Sequence, residues 1–270
     1  MIGAGAVGSA LALALYKKKF TLRAVVSKNG ESARRLGRRL HSPYGSVRSI
    51  PGLEAEGILF LAVPDNEIKH VARLLSQNRT DFSGSIVFHC SGALSSEVLS
   101  PFRKKGAAVG SFHPLQTFPG GKSDSGTLKN IWIGIEGDKK ATTLGRFLAR
   151  ELGAHSLILS PKQKILYHIA AVFSSNYFVT LLSVVEDLGE RLGLPRNKVL
   201  SMFEPLVLRS FLNAKTHSAA IALTGPIARG DFHTVRRHRW ALAAGGLRRI
   251  SDLYAALAKE TAILAAKKVL

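Results

Sequence analysis

Three glycines at the start of the chain, Gly3, Gly5 and Gly8, stand in the spacing G-x-G-x-x-G, and the run behind them, Ser9 to Tyr16, is apolar and alanine-rich enough to be a helix. This arrangement suits a dinucleotide. Gly3 lets a strand turn sharply, Gly5 lets backbone approach a pyrophosphate, Gly8 lets the helix pack on the strand, and the helix N-terminus faces the phosphates. Gly3, Gly5, Ala6, Val7 and Gly8 are therefore the expected pyrophosphate loop.

Groups able to move protons beside such a cofactor follow in three places. His89-Cys90-Ser91-Gly92-Ala93 and Ser111-Phe112-His113-Pro114-Leu115 each close a β-rich run, where ligands of open α/β sheets lie. In the apolar stretch from Lys162 to Leu192, Lys164, His168 and Ser175 project within about 40° of one another at a helical step, with Asn176 and Ser183 on the flank. Further on, Thr224-Gly225-Pro226 leads to Arg229, able to hold a carboxylate bidentately, and to Asp231, an N-cap for a helix from Phe232. Acid–base work is assigned to His113, Lys164 and His168, and substrate contacts to Ser91, Ser175, Asn176 and Arg229. Each has a plainer alternative. Cys90 reads as a small core hydrophobe before it reads as a nucleophile, a strand-end histidine can satisfy a loop carbonyl, and the polar stripe can face a partner subunit.

The end of the second strand bears on which dinucleotide binds. NAD sites place a carboxylate there for the ribose hydroxyls. Here Val26-Ser27-Lys28-Asn29 holds none, while Ser27 and Lys28, with Arg34 or Arg35 beyond, suit a 2′-phosphate. NADP is the expected cofactor, with Val63, Pro64, Cys90 and Gly92 at the next strand ends also against it.

These residues need a scaffold that brings strand ends together. Leu22 to Val26, Gly57 to Val63, Ser85 to His89, Ala107 to Phe112, Asn130 to Glu136 and Ser156 to Leu159 read as strands, alternating with helices at Ser32 to Leu40, Asn66 to Leu75 and Thr142 to Leu152. The alternation predicts an α/β fold, a doubly wound, mostly parallel Rossmann sheet, over residues 1–160. From 161 to 270 only helical periodicity remains, which predicts an all-helical second domain for substrate binding and dimerisation. Only Met1 and Ile2 precede Gly3, so roughly four to six residues of a central strand are expected to be missing from this chain.

Composition narrows the partners. One cysteine, Cys90, excludes an internal disulfide framework and fits a reducing compartment, so the cytoplasm is expected. The net charge of +20 invites nucleic acid, but the basic residues fall in short separated groups with little aromatic interleaving, so none is expected. Met1 to Tyr16 is not expected to be a signal peptide, because Lys17 to Lys19 follow the apolar run instead of preceding it. Ile165 to Val185 is long enough for a membrane span, yet His168, Ser174, Ser175, Asn176, Thr180 and Ser183 interrupt it, which predicts a buried core helix and no membrane.

Three segments together resemble a known family: His89 to Ser95, then Gly110-Ser111-Phe112-His113-Pro114-Leu115-Gln116-Thr117-Phe118, then Thr224-Gly225-Pro226 with Arg229-Gly230-Asp231 and His238. They are similar to the signatures of a bacterial family that couples a Rossmann-like domain to the domain of unknown function 2520. The resemblance implies an NADP-dependent oxidoreductase without an established substrate, and an architecture related to pyrroline-5-carboxylate reductase and ketopantoate reductase, whose helical domains dimerise. A homodimer through the helical domain and a small-molecule substrate are the implied partners. The Pro-Gly-Gly-Thr segment expected of pyrroline-5-carboxylate reductase is missing, so that activity is not implied. Two function classes stay open: an enzyme transferring hydride between nicotinamide and a C=O or C=N bond, and a non-catalytic NADP-binding sensor.

Overall fold

A computed structural model of the chain describes residues 1–28, 30–46, 57–77, 80–118 and 125–267. Asn29, part of the second-strand reading, lies outside them. The chain forms two compact units, Met1–Asn176 and Tyr177–Leu270.

The first unit opens with α1 (Ala6–Lys17), whose small residues let it be buried on nearly every side from Ala10 to Leu15, and whose last turn carries Lys17 at the negative end of the helix dipole. Then come β1 (Val25–Val26), α2 (Gly30–Arg39), β2 (Tyr44–Gly45), β3 (Ile58–Leu61) and α3 (Asp65–Ser76). β4 (Ile86–His89), α4 (Ser100–Arg103), β5 (Ala108–Pro114), β6 (Trp132–Gly137), α5 (Lys139–Glu151) and β7 (His155–Ile158) follow. The strands run in the order β3-β4-β5-β6-β7, parallel except for the antiparallel pair β5–β6, and β1 pairs with β2 in parallel. Ile2 joins the two groups, with parallel bridges to Val26 and to Leu61. The expected mostly parallel sheet is present, and its centre at this point is one residue wide.

Alternation along the strands builds a core on each face. Phe60, Phe88 and Phe112 lie on one face beneath Leu11 and Leu15 of α1, with Phe60 and Phe88 stacked at 5.3 Å between centroids. Leu61, Val87 and Val109 face the other way, onto Ile68 and Leu75 of α3. In this register Phe88 lies opposite Gly110 and His89 opposite Ser111, so strand ends with polar side chains meet at one edge.

After β7, Ser160 and Gln163 form a capping box that starts α6 (Pro161–Val172). A π-helical turn over Phe173–Tyr177 carries α6 into α7 (Phe178–Arg191). The second unit continues through α8 (Arg196–His217), α9 (Ala219–Ala222), α10 (Phe232–Ala244) and α11 (Arg248–Ala266), with no strand among its described residues. Asp231 caps α10 as expected, its carboxylate accepting from the amide of Thr234 at 3.0 Å.

Three sequence expectations change. The helical region was expected to join the second domain from residue 161, but α6 groups with the sheet, its side chains bonding to Ser91 just beyond β4 and to Ser111 and His113 on β5. The π turn adds a residue to the helix, so the regular angular step relating Lys164 and His168 does not extend to Ser175 and Asn176. The helix is also not a buried core element within this chain. Pro161–Arg191 is long and apolar enough to cross a membrane by length and composition, and Leu166, Phe173 and Val179 are each at least 60% exposed.

Candidate functional site

The three loop glycines are not equivalent. Gly3 has a φ of +100°, and a β-carbon there would collide with the carbonyl of Ala62. At Gly8 a β-carbon would collide with the carbonyl of Gly3. Both are required by the fold itself. Gly5 is different: it is exposed, and a β-carbon would meet nothing within 4 Å. The space in front of Gly5 is therefore open, and α1 begins there with no side-chain cap and no acidic residue in its first turn. Val63 and Pro64 follow β3 beside this loop, Pro64 leading into α3.

Beyond β1, Ser27 is half-buried and Lys28 is exposed, while Arg34 and Arg35 are exposed on α2. This corner presents cations to solvent.

The densest chemistry lies where β4 and β5 end. Lys164, from α6, is fully buried, and its Nζ donates to the carbonyl of Ser91 at 2.9 Å and to Oγ of Ser111 at 2.8 Å. Burial lowers its pKa from 10.5 to about 8, although the carboxylates of Glu136 and Asp65 act to raise it. Ser91 Oγ donates to Asp65 at 2.6 Å and accepts from the amides of Ala93 and Leu94. A hydroxyl has one proton and two lone pairs, so all of its capacity is used inside the protein. Ser91 therefore shapes the loop, and the expectation that its hydroxyl reaches substrate is withdrawn on that ground.

His89 is likewise committed. Its Nε2 lies 3.2 Å from the carbonyl of Ser95 and its Nδ1 accepts from the amide of Ser91 at 3.2 Å, which fixes the ring neutral with the proton on Nε2. Burial first, and the Lys164 charge second, hold its pKa down at about 3. Glu136, on β6 opposite Ser111, is buried and accepts from both the amide and the hydroxyl of Ser96 at 2.8 Å.

His113 and His168 do not have their bonding filled in this way. Their rings meet edge to face at 6.2 Å between centroids, and both pack on Gly92. A β-carbon on Gly92 would come within 2.7 Å of Nδ1 of His168 and 2.9 Å of Nε2 of His113. Gly92 is thus the residue that lets two imidazoles converge. Nδ1 of His168 is buried with no hydrogen-bond partner, the only such side-chain atom among the described residues. Nδ1 of His113 lies 2.9 Å from the hydroxyl of Tyr167, and burial, then the Lys164 charge, lowers its pKa to about 4.

The structure thus gathers Gly92, His113, Lys164 and His168 from the sequence reading at one sheet edge. It adds Asp65, Ser111, Glu136 and Tyr167, which that reading did not select. Nothing in the spacing showed that Tyr167 faces β5. Cys90 packs against the aromatic core, with its thiol pushed up to about 12 by burial, so it is no nucleophile. Ser175 is half-buried and Asn176 exposed in the π turn. Arg229 lies in the second unit, at the end of the short helical turn Ile227–Arg229.

Comparisons with known proteins agree with this architecture. Residues 1–114 match the model of a Rossmann-like domain, and residues 131–261 match the domain of unknown function DUF2520. A candidate NADP oxidoreductase of Bacteroides fragilis superposes with a TM-score of 0.79 at 22% identity, covering 97% of this chain and 96% of that one. A pyrroline-5-carboxylate reductase of Coxiella burnetii gives 0.57 at 17% identity, covering 97% and 96%. A reductive aminase of Aspergillus terreus, in complex with NADPH and ethyl levulinate, gives 0.67 at 16% identity, covering 98% and 97%. No curated protein matches the chain. At these identities the structural likenesses establish the fold, and the two domain matches show that the chain joins a Rossmann-like domain to a DUF2520 domain.

Proposed function

We propose that this protein is an NADP-dependent oxidoreductase that reduces a C=O or C=N bond of a small polar substrate at the sheet edge where His113 and His168 meet over Gly92. The observation that carries the reading is the unpartnered Nδ1 of His168, buried beside a second imidazole at the carboxyl ends of parallel strands. Leaving a buried polar atom unsatisfied costs about 1–3 kcal/mol, and a site that awaits a ligand is a reason to bear it.

The residues present fit the cofactor. Gly5 is a glycine the fold does not need but a pyrophosphate does, and α1 points its N-terminus at the same space. Gly3, Ala6, Val7 and Gly8 would complete that loop. Ser27, Lys28 and Arg34 would hold the 2′-phosphate, and Val63, Pro64, Cys90 and Gly92 would line the path to the nicotinamide. When bound, reduced NADP supplies the hydride. The protein's own groups do the rest: Lys164 supplies positive potential beneath the site, His113 is neutral at pH 7 and orients the substrate, and His168 exchanges a proton through Nδ1. Ser175 and Asn176 remain proposed substrate contacts, and Arg229 a proposed carboxylate partner.

We also assign the exposed apolar faces to a homodimer in the cytoplasm. Leu166, Phe173 and Val179 on the long helix, and Leu206 and Phe211 on α8, are all 60% or more exposed, more apolar surface than a monomer ordinarily leaves to water. A bilayer suits the long helix less well, because Lys164 and Tyr167 on it are bonded into the sheet unit.

The test is a titration with NADPH and NADH, followed by reduced-cofactor consumption against a panel of ketones, oxo acids and imines. The expected result is NADPH preferred by about tenfold or more, the worth of one or two charge-assisted contacts to the 2′-phosphate. Turnover of at least one member of the panel is expected too. Equal affinity for the two cofactors would remove the NADP assignment.

A further inference from the structure

Tyr167 has no part in the reading above, yet its geometry decides what His113 can offer. Its hydroxyl lies 2.9 Å from Nδ1 of His113, with the rings perpendicular at 5.5 Å between centroids. The same hydroxyl packs over Gly134, the β6 residue directly opposite His113. Gly134 leaves room for this, since a β-carbon there would come within 2.9 Å of the tyrosine ring and hydroxyl. A phenol has one proton to place, and Nδ1 of His113 is the acceptor within reach. The phenol is the stronger acid of the pair and the neutral imidazole nitrogen the better acceptor, so Tyr167 O–H donates to Nδ1 of His113.

We propose that Tyr167 is a positioning residue that locks His113 in the tautomer with its proton on Nε2, so that the ring presents an N–H donor at the Gly92 edge of the site. This rests on the reading of that edge as a reductase centre. Nε2 faces Gly92, and the ring's bond to Tyr167 is made through Nδ1, so the Nε2 donor is turned toward the site. A ring that stays neutral at pH 7 keeps this single proton.

The lock has a consequence for the substrate. An N–H donor serves an acceptor that gains negative charge, such as the oxygen of a carbonyl as its carbon receives hydride. A protonated imine nitrogen has no lone pair to accept that bond. It is also repelled by Lys164, whose charge already depresses the pKa of both His89 and His113. Asp65 and Glu136 act on Lys164 itself, while the charge that depresses both imidazoles is that of Lys164. The site therefore favours a ketone or aldehyde over a charged imine.

The test uses histidine-labelled protein without cofactor, read by nitrogen NMR at pH 7. In the natural protein the expected result is Nδ1 of His113 unprotonated and hydrogen-bonded, with the proton on Nε2. Tyr167→Phe, which keeps the packing on Gly134, is expected to lose the hydrogen-bonded Nδ1 signature and to gain a population protonated on Nδ1. Protonation at Nδ1 in the natural protein, or an unchanged Nδ1 signal in Tyr167→Phe, overturns the lock. If the variant does not fold, the natural protein's spectrum still decides. Turnover is the second arm: ketones are expected to outpace cyclic imines, and Tyr167→Phe to lower kcat for ketones about tenfold with NADPH affinity unchanged. Faster imine turnover overturns the substrate preference. Failure to bind NADPH at all counts against the reductase reading, and the spectra then judge Tyr167 alone.

Discussion

Replacing Lys164 by methionine separates the energetic cost of its charge from the bonds it makes. The ammonium is fully buried and its pKa falls from 10.5 to about 8 on folding, so the folded protein holds this proton more weakly than the unfolded chain does. The sign follows from linkage: below pH 8 both states are charged and the fold carries the full penalty, which is relieved as pH rises from about 8 to 10.5. At about 1.36 kcal/mol per pKa unit the relief is about 3 kcal/mol. Lys164→Met removes the penalty but leaves the Ser91 carbonyl and Ser111 hydroxyl without their donor, at about 1–3 kcal/mol each. At pH 7 the two effects nearly offset, so a single measurement says little. Urea unfolding from pH 7 to 10.5 is the informative assay, followed through Trp132 in a Trp240→Phe background so that the signal comes from the sheet unit. Cys90 pulls the other way above pH 9, because its thiol stays protonated in the fold and ionises in the unfolded chain, but it is common to both proteins. The natural protein should gain about 3 kcal/mol on the variant across this range. Parallel stability curves would refute the assignment of a buried, desolvated ammonium.

Other consequences follow from the same geometry. Gly5→Ala should cost no more than about 1 kcal/mol of stability, the difference between glycine and alanine at an N-cap, while weakening NADPH binding at least tenfold in a titration; Gly8→Ala should instead be severely destabilising. Gly92→Ala pushes a methyl group into two imidazoles and should cost about 1–3 kcal/mol in denaturant unfolding, together with most of the turnover. A fully active, fully stable Gly92→Ala protein would mean that the rings do not converge there. On the acid side, His89 and His113 stay neutral in the fold down to about 3 and about 4, whereas both protonate near 6.5 when unfolded. Their contribution is therefore present above pH 6.5 and lost as pH falls, by about 3 kcal/mol per ring at pH 4, and His89→Gln should flatten the acid limb of the unfolding curve.

The part of the fold written in local sequence is readable from the residues themselves. Gly3 and Gly8 gave the turn and the close helix packing, and alternating β-rich and amphipathic runs gave the sheet; all are properties of neighbours in the chain. Tyr44–Gly45 escaped notice because a strand this short has no alternation to read. The candidate site was only half legible. His113, Lys164 and His168 stood out as polar groups in apolar surroundings, but their meeting over Gly92 depends on the register between β4 and β5 and on the azimuth of α6, neither of which is encoded locally. Tyr167 looked like one more apolar residue on an apolar helix, and its role came from the glycine opposite it on β6. The helical step could not anticipate the π turn, so Ser175 and Asn176 were grouped with a stripe that ends before them. The exposed apolar helix was misjudged for another reason: hydropathy reports that a face seeks cover and is silent on whether this chain or another provides it.

The central claim is that His113 and His168 perform chemistry on a substrate beside a bound nicotinamide. Its most direct test follows NADPH consumption by the natural protein, His113→Ala and His168→Ala on whichever substrate of the panel is turned over, with NADPH affinity measured for all three. Turnover that falls about a hundredfold or more in each variant while NADPH affinity holds is the predicted result. Undiminished turnover in both variants, or tight NADPH binding with no turnover of any carbonyl or imine, would contradict it.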